Sequence, residues 1–195
     1  MNCYLLLGGE STRMGRPKAA VELGGKTFLE RALDAAASAF DRVLAVRRAA
    51  ESAIPGLTTI FERKHRGSGA IFGLERALED AGEGKLWLLA IDYPLMTSSL
   101  LGELRRRFEG SGADLLVPRW DGKPQLLCAG YHTALLPAVR SAIAAGRYTL
   151  RGIAESARIE IVDEGDLRRR REGEPLLNVN DPTDLARARR LVEDR

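Results

Sequence analysis

The chain has 195 residues, enough for one domain with a sizeable core, and 45% of them are apolar, the share of an ordinary globular fold. Its net charge of +3 suits an anionic small-molecule ligand, whereas 6% aromatic content and the lack of a basic run interleaved with aromatics argue against a stacking platform for nucleic acid. No apolar stretch approaches the roughly 20 residues that span a bilayer, and no basic segment precedes Cys3–Leu7, so neither a membrane partner nor a secretory leader is expected.

In chain order, the apolar run Tyr4–Leu7 stops at Gly8-Gly9 and reads as a buried strand. Cys3, in this strand, and Cys128 are expected to be buried free thiols of a cytoplasmic protein, too few to hold zinc alone. The loop after Gly8-Gly9 carries Ser11, Arg13, Gly15 and Lys18. Bare glycine N–H groups can hold phosphate oxygens, and Arg13 and Lys18 add fixed positive charge. This predicts a phosphate cradle at the carboxyl end of the first strand; the competing reading is an ordinary tight turn with two solvated cations.

Ala20–Leu23 and Thr27–Leu29 flank a Gly24-Gly25 turn. Thr27 with Glu30 forms a capping box for a helix whose inner face is Leu29, Ala32, Leu33 and Ala36. Gly25-Lys26-Thr27 ends like a Walker A motif, but Ala20 stands where the motif needs its first glycine, so the match is taken as chance. Arg42–Val46 and Leu57–Phe61 read as strands, and Gly69–Ala81 as a helix facing inward through Ile71, Leu74, Ala77 and Leu78. The glycine-rich start of that helix lies beside the basic stretch Arg63–Arg66, a fair anion site whose spacing does not fit a dinucleotide fingerprint.

Leu86–Ile91 is apolar throughout, as a central strand covered on both faces would be. Ser98–Phe108 reads as a helix, and Asp114–Pro118 and Gln125–Tyr131 as strands joined through the turn-forming Trp120–Pro124. Thr133–Ala145 and Thr149–Ser156 read as helices and Arg158–Val162 as a strand. The Arg168–Arg171 run, set among acidic residues, reads as a solvated face. The last helix opens with Asp181 as N-cap, Pro182 at its first position and Asp184 in its first turn. The alternation predicts a single α/β domain over residues 1–195 with a mostly parallel sheet, whose ligands bind outside the carboxyl ends of the strands.

Two further features face that crevice. Asp92 comes directly after the central strand, where a hard carboxylate oxygen would anchor Mg²⁺ beside substrate phosphates; the alternative is a turn-capping Asp before Pro94. Asn178 and Asn180 lie two residues apart before the last helix, as ligand or magnesium contacts or as turn formers. His65 and His132 sit in no metal-ligand or Ser-His spacing, so covalent catalysis is not suggested.

These segments together resemble the GTP-dependent molybdenum cofactor guanylyltransferases. The family's opening Leu-Ala-Gly-Gly-x-Ser-x-Arg-Met-Gly-x-x-Lys is matched from Leu6 to Lys18 except at Leu7; Gly69–Gly73 is similar to its Gly-Pro-Leu-x-Gly without the proline. Asp92-Tyr93-Pro94 and Asn178–Pro182 match its Asp-x-Pro and Asn-Val-Asn-x-Pro. The resemblance implies a three-layer, Rossmann-like fold of the nucleotide-diphospho-sugar transferase type, with helices on both faces of the sheet. It implies a nucleotide site made of Leu6, Leu7, Gly8, Gly9, Lys18, Glu62 and Asp92, with Glu62 standing in for the family's acidic residue near guanine. Arg13, Lys18 and Asp92 would carry the chemistry, and Asp92 with Asn180 would hold Mg²⁺. The implied partners are GTP and molybdopterin or molybdenum-molybdopterin, with transient contacts to cofactor-biosynthesis proteins and molybdoenzymes. Lys123 and Arg63–Arg66 would receive the anionic pterin. The alternatives are a transferase using CTP or a sugar phosphate, and a nucleotide-binding module without turnover.

Overall fold

A computed structural model describes residues 1–7, 17–63, 69–170 and 172–193. The elements run β1 (Asn2–Leu6), β2 (Glu22–Leu23), β3 (Lys26–Thr27), α1 (Phe28–Ala37), β4 (Val43–Arg47), β5 (Thr59–Phe61), α2 (Ala70–Ala81), β6 (Lys85–Ala90) and α3 (Ser98–Gly110). They continue as β7 (Leu115–Trp120), β8 (Lys123–Pro124), β9 (Cys128–His132), α4 (Leu136–Ala144), α5 (Leu150–Ala154), β10 (Ile159–Val162), α6 (Glu164–Arg169) and α7 (Pro182–Glu193). The main sheet has the order β5-β4-β1-β6-β9-β7-β10, with β8 paired to β7. Every pairing along β5-β4-β1-β6 and between β7 and β10 is parallel, and β9 runs antiparallel to both its neighbours. The fold is thus α/β with a mostly parallel mixed sheet.

Alternation along β1 sets the two outer layers. Leu6 meets α2 at Gly73, and Tyr4 donates its hydroxyl to Asp80 of α2 at 3.0 Å. Cys3 faces the other way, in register with Trp87, whose ring lies 6.1 Å from Phe40 just after α1. Gly130 pairs with Trp87, and the Phe108 ring of α3 occupies the space its missing side chain leaves. Helices α1 and α3 therefore cover one face and α2 the other. Cys3 and Cys128 are both buried free thiols, held neutral by burial.

Local chemistry fixes the boundaries. Thr27 and Glu30 close both halves of the expected capping box, so the helix starts at Phe28 directly after the two-residue strand β3. The Walker-like Gly25-Lys26-Thr27 is the end of the β2–β3 hairpin turn followed by strand β3, the turn itself being Gly24-Gly25 with φ +57° and +75°. The strand expected from Gln125 begins only at Cys128, because Cys128 N–H turns back to the Gln125 carbonyl at 2.9 Å. The Arg168 and Arg169 side chains do lie on a solvated helix face, paired to Glu164 and Asp166.

At the start of β7 and β10, Arg158 grips Asp114 through two side-chain bonds of 2.8 and 2.9 Å, and its own N–H adds a third. This fork holds the Asp114 carboxyl down at about 2, from an ordinary value of 3.8. A depressed carboxylate stabilises the fold above its unfolded pKa and loses that contribution as pH falls through its folded one. Asp114→Asn is therefore expected to lower the thermal midpoint at pH 7, with the gap to wild type closing as pH approaches about 2. Thermal melts of both proteins across that range check it; a gap independent of pH would refute the ionic contribution.

Candidate functional site

The carboxyl ends of β1, β4, β5 and β6 open on one edge of the sheet. Leu6 closes β1, and Leu7 N–H still bonds to Val46 carbonyl at 3.1 Å, so the chain leaves the sheet in line with β4. Gly8, Gly9 and Arg13 lie outside the described residues, as do Lys64, His65 and Arg66. The chain returns at Pro17, and Lys18 opens a short 3-10 turn, Lys18–Ala20.

The polar cluster is organised around Lys18. Its ammonium donates to Asn180 Oδ1 at 2.7 Å and lies 3.5 Å from Asp92 Oδ2. Asn180 Nδ2 in turn donates to Asn178 Oδ1 at 2.6 Å. Residues 162 positions apart in sequence thus meet at the end of β6. Both asparagine side chains point to the same place, as their two-residue spacing in an extended segment requires.

Packing explains how the chain holds them there. A second apolar cluster gathers Val21, Leu23, Phe28, Leu95, Leu177, Val179, Leu185 and Ala188. It ties the β2–β3 hairpin, the segment after Asp92 and helix α7 into one unit against the edge of the main core. Val179 N–H donates to the Asp92 carbonyl at 2.8 Å, which stitches the asparagine segment directly to the end of β6. Asp181 caps α7 by accepting from Thr183 and Asp184 N–H at 2.8 and 3.0 Å. Asp184 reaches back past that cap to accept from Asn180 N–H at 2.9 Å, which fixes the backbone of the residue that holds Lys18.

Asp92 is only 9% exposed, and its Oδ1 is buried with no hydrogen-bond partner among the described residues. Burial pushes its carboxyl above the ordinary range, and the Lys18 ammonium pulls part of the way back. A buried hard oxygen with a free lone pair is the donor a divalent cation takes. Among the described residues, no cluster of three His, Cys, Asp or Glu could cage a metal alone. The site therefore fits Mg²⁺ held by one carboxylate and completed by substrate phosphates, the usual arrangement for that ion.

Glu62 sits just past β5, with its N–H on the Arg47 carbonyl at 2.8 Å. Its carboxylate lies against Gly73 of α2: a Cβ added there would stand 3.2 Å from Glu62 Oε1 and 2.6 Å from Leu6 Cδ2. Gly73 thus lets α2 close onto both β1 and the Glu62 side chain. Burial raises the Glu62 carboxyl, and the Arg48 guanidinium opposes that. Lys123 is exposed on the β7–β8 hairpin and makes no ion pair with the described residues. Arg63 instead is bound to Glu79 on α2, so that end of the basic stretch is neutralised.

Two contacts here carry no plain signal in the sequence. Asn180, expected as a metal ligand, also holds Lys18 through its Oδ1. Tyr93, next to Asp92, donates its hydroxyl to Gln125 at 3.0 Å. The Asn180 link is half visible in the Asp181–Asp184 spacing; nothing local marks the Tyr93 link.

Residues 3–160 match the family described as "MobA-like NTP transferase domain". A relative from Deinococcus radiodurans, "Probable molybdenum cofactor guanylyltransferase", is 34% identical over 190 residues, covering 95% of this chain and 92% of its own. A relative of the same name from Mycobacterium marinum is 30% identical, covering 93% and 89%. Among solved structures, the molybdopterin-guanine dinucleotide biosynthesis protein A of Archaeoglobus fulgidus superposes with a TM-score of 0.87 at 27% identity over the whole of both chains. The 2-C-methyl-D-erythritol 4-phosphate cytidylyltransferase of Thermus thermophilus shares the fold, with a TM-score of 0.69 at 20% identity over 97% of this chain and 98% of its own.

Proposed function

This chain belongs to the family of MobA-like NTP transferases and molybdenum cofactor guanylyltransferases, and from that premise we propose that it transfers GMP from GTP to molybdopterin or molybdenum-molybdopterin, releasing pyrophosphate. The observation that carries the reading is the Asp92–Lys18–Asn180 cluster, with its orphaned buried Oδ1, at the carboxyl edge of the sheet.

In this reading the nucleotide enters along Leu6, Leu7 and the Gly8-Gly9 loop, with Arg13 and Lys18 holding its phosphates. Asp92 and Asn180 would hold Mg²⁺, which supplies charge neutralisation on the phosphate oxygens. A terminal phosphate oxygen of the acceptor forms the new bond to the α-phosphorus as the bond to the pyrophosphate oxygen breaks. The attacking phosphate is already ionised, so no side chain has to remove a proton. What the chain contributes is alignment of the two phosphates and fixed positive charge where the leaving group develops its own. Lys123, without an ion pair among the described residues, is the cation offered on the acceptor side.

Glu62 is the base-reading residue of the proposal. A carboxylate only accepts, which matches the N1–H and N2–H donors of guanine and mismatches cytosine. Arg48 favours its charged form. Glu62→Ala is expected to raise KM for GTP by about ten- to a hundredfold, the range of one good bidentate base contact. An unchanged KM would remove Glu62 from the base site.

The test of the function is pyrophosphate release by the purified protein with Mg²⁺, molybdopterin and each of GTP, CTP, ATP and UTP in turn. Release is expected with GTP and only when molybdopterin is present. Turnover with CTP in place of GTP would reassign the nucleotide. GTP binding without release would make the protein a nucleotide-binding module.

A further inference from the structure

The carboxyl end of β7 lies two strands from that of β6 and points the same way, because β9 between them is antiparallel to both. Beyond β7 the chain folds back as the β7–β8 hairpin through Asp121 and Gly122, at φ +47° and +69°. Both central residues of the turn are left-handed, the hairpin geometry that Asp-Gly favours. Lys123 comes next in the chain.

One side chain joins this hairpin to the Asp92 turn. Gln125 accepts from the Tyr93 hydroxyl at 3.0 Å, and its Nε2 donates to the carbonyls of Trp120 and Lys123, both at 3.1 Å. Its two amide hydrogens close the hairpin across the turn, and its oxygen fastens the closed hairpin to the residue beside Asp92. Tyr93 is 3% exposed and Gln125 half-buried, so the bond is partly withdrawn from water, and its loss costs more than that of a surface bond. From the other side, Arg168 stacks on Trp120 at 4.3 Å and bonds Asp121 at 3.2 Å, and Glu164 accepts from Gly122 N–H at 3.1 Å. Asp121 and Glu164 are thereby engaged by Arg168 and the backbone, which leaves the Lys123 charge uncompensated among the described residues.

We propose that Gln125, through Tyr93, is a positioning residue for the acceptor: it sets the Lys123 hairpin at a fixed place relative to Asp92, so that a phosphate-bearing acceptor held at Lys123 meets the nucleotide in line. This rests on the transferase reading and adds to it where the second substrate sits and what holds that wall. Neither Gln125 nor Tyr93 touches a substrate; the contact is made by Lys123.

The test uses the full chain and two readouts: Kd for molybdopterin and for GTP by equilibrium dialysis, and the separate KM values in pyrophosphate release. Tyr93→Phe is expected to weaken molybdopterin by about fivefold, one hydrogen bond's worth, in both Kd and KM, and Gln125→Ala, which also removes the two bonds that close the hairpin, by at least as much. GTP values should stay within about twofold of wild type. Lys123→Met should act on the same parameter. The double variant Gln125→Ala/Tyr93→Phe should be no worse than Gln125→Ala alone, because the two act through one bond. A merely structural bond would lower the thermal midpoint without separating the substrates. Tyr93→Phe loses one hydroxyl and keeps its buried ring, so it reads the bond even if Gln125→Ala folds poorly. Molybdopterin values unchanged in both variants, or GTP values weakened equally, would overturn the positioning role while wild-type turnover left the transferase reading intact. Wild-type protein that binds molybdopterin yet releases no pyrophosphate would overturn the transferase reading, and the dialysis values would still decide the role of Gln125.

Discussion

Asp92→Asn is expected to reduce pyrophosphate release by about 10²- to 10³-fold, the loss seen when one preorganised electrostatic partner of a transition state is removed. The same change is expected to leave the thermal midpoint at or above that of wild type. Asp92 is a buried carboxylate whose Oδ1 has no partner among the described residues, and burial disfavours its charged form. A neutral amide of the same shape removes that desolvation cost. Lys18 keeps its 2.7 Å bond to Asn180 and, with its side chain 19% exposed, keeps access to water. Activity assays and thermal melts on the same preparation check both halves. Full activity would refute the role of Asp92, and a large fall in the midpoint would show a structural carboxylate instead. A residue kept at a cost to the fold is kept for its chemistry, and the split between activity and stability reads that directly.

The parts of this chain that are legible in sequence are those in which local chemistry and burial agree. The apolar run ending at Leu7 reads as a buried strand and the one ending at Ile91 as a central strand, and β1 and β6 are adjacent in the sheet. The Thr27–Glu30 box and the Asp181-Pro182 start give helix ends within a residue. Asp92, Lys18 and Asn180 can each be named because their residue types suit phosphate and metal, and the fold brings these three together. What the sequence conceals is long-range. Nothing in Gln125–Tyr131 says that β9 runs against its neighbours, since a strand's direction is set by the connections around it rather than by its own side chains. The Tyr93–Gln125 bond joins residues 32 apart, which only the placing of the β7–β8 hairpin brings together. Arg63 counts as free charge in a string of letters; only the fold sets Glu79 of α2 beside it.

Lys18→Met is expected to strike both function and fold. Its ammonium answers the Asp92 charge at the end of an apolar stem, so methionine keeps most of the apolar volume and deletes the charge. Removing one member of a buried pair leaves the other uncompensated, which costs roughly 3–5 kcal/mol when burial is complete. Here the two side chains are 19% and 12% exposed, so the expected loss is smaller, about 2–4 kcal/mol, or a fall of about 5–15 °C in the thermal midpoint for a chain of this size. Pyrophosphate release should fall by about 10²-fold, since a fixed cation at the phosphates is gone. The double variant Lys18→Met/Asp92→Asn should recover most of the lost stability and none of the activity, because the uncompensated carboxylate has been removed with its partner. Chemical denaturation of the four proteins closes the cycle. If the double variant were as unstable as Lys18→Met, the stability loss would lie in the Lys18–Asn180 bond rather than in the Asp92 charge. The cluster would then be held together by its amides, with the ion pair adding only the electrostatics of catalysis.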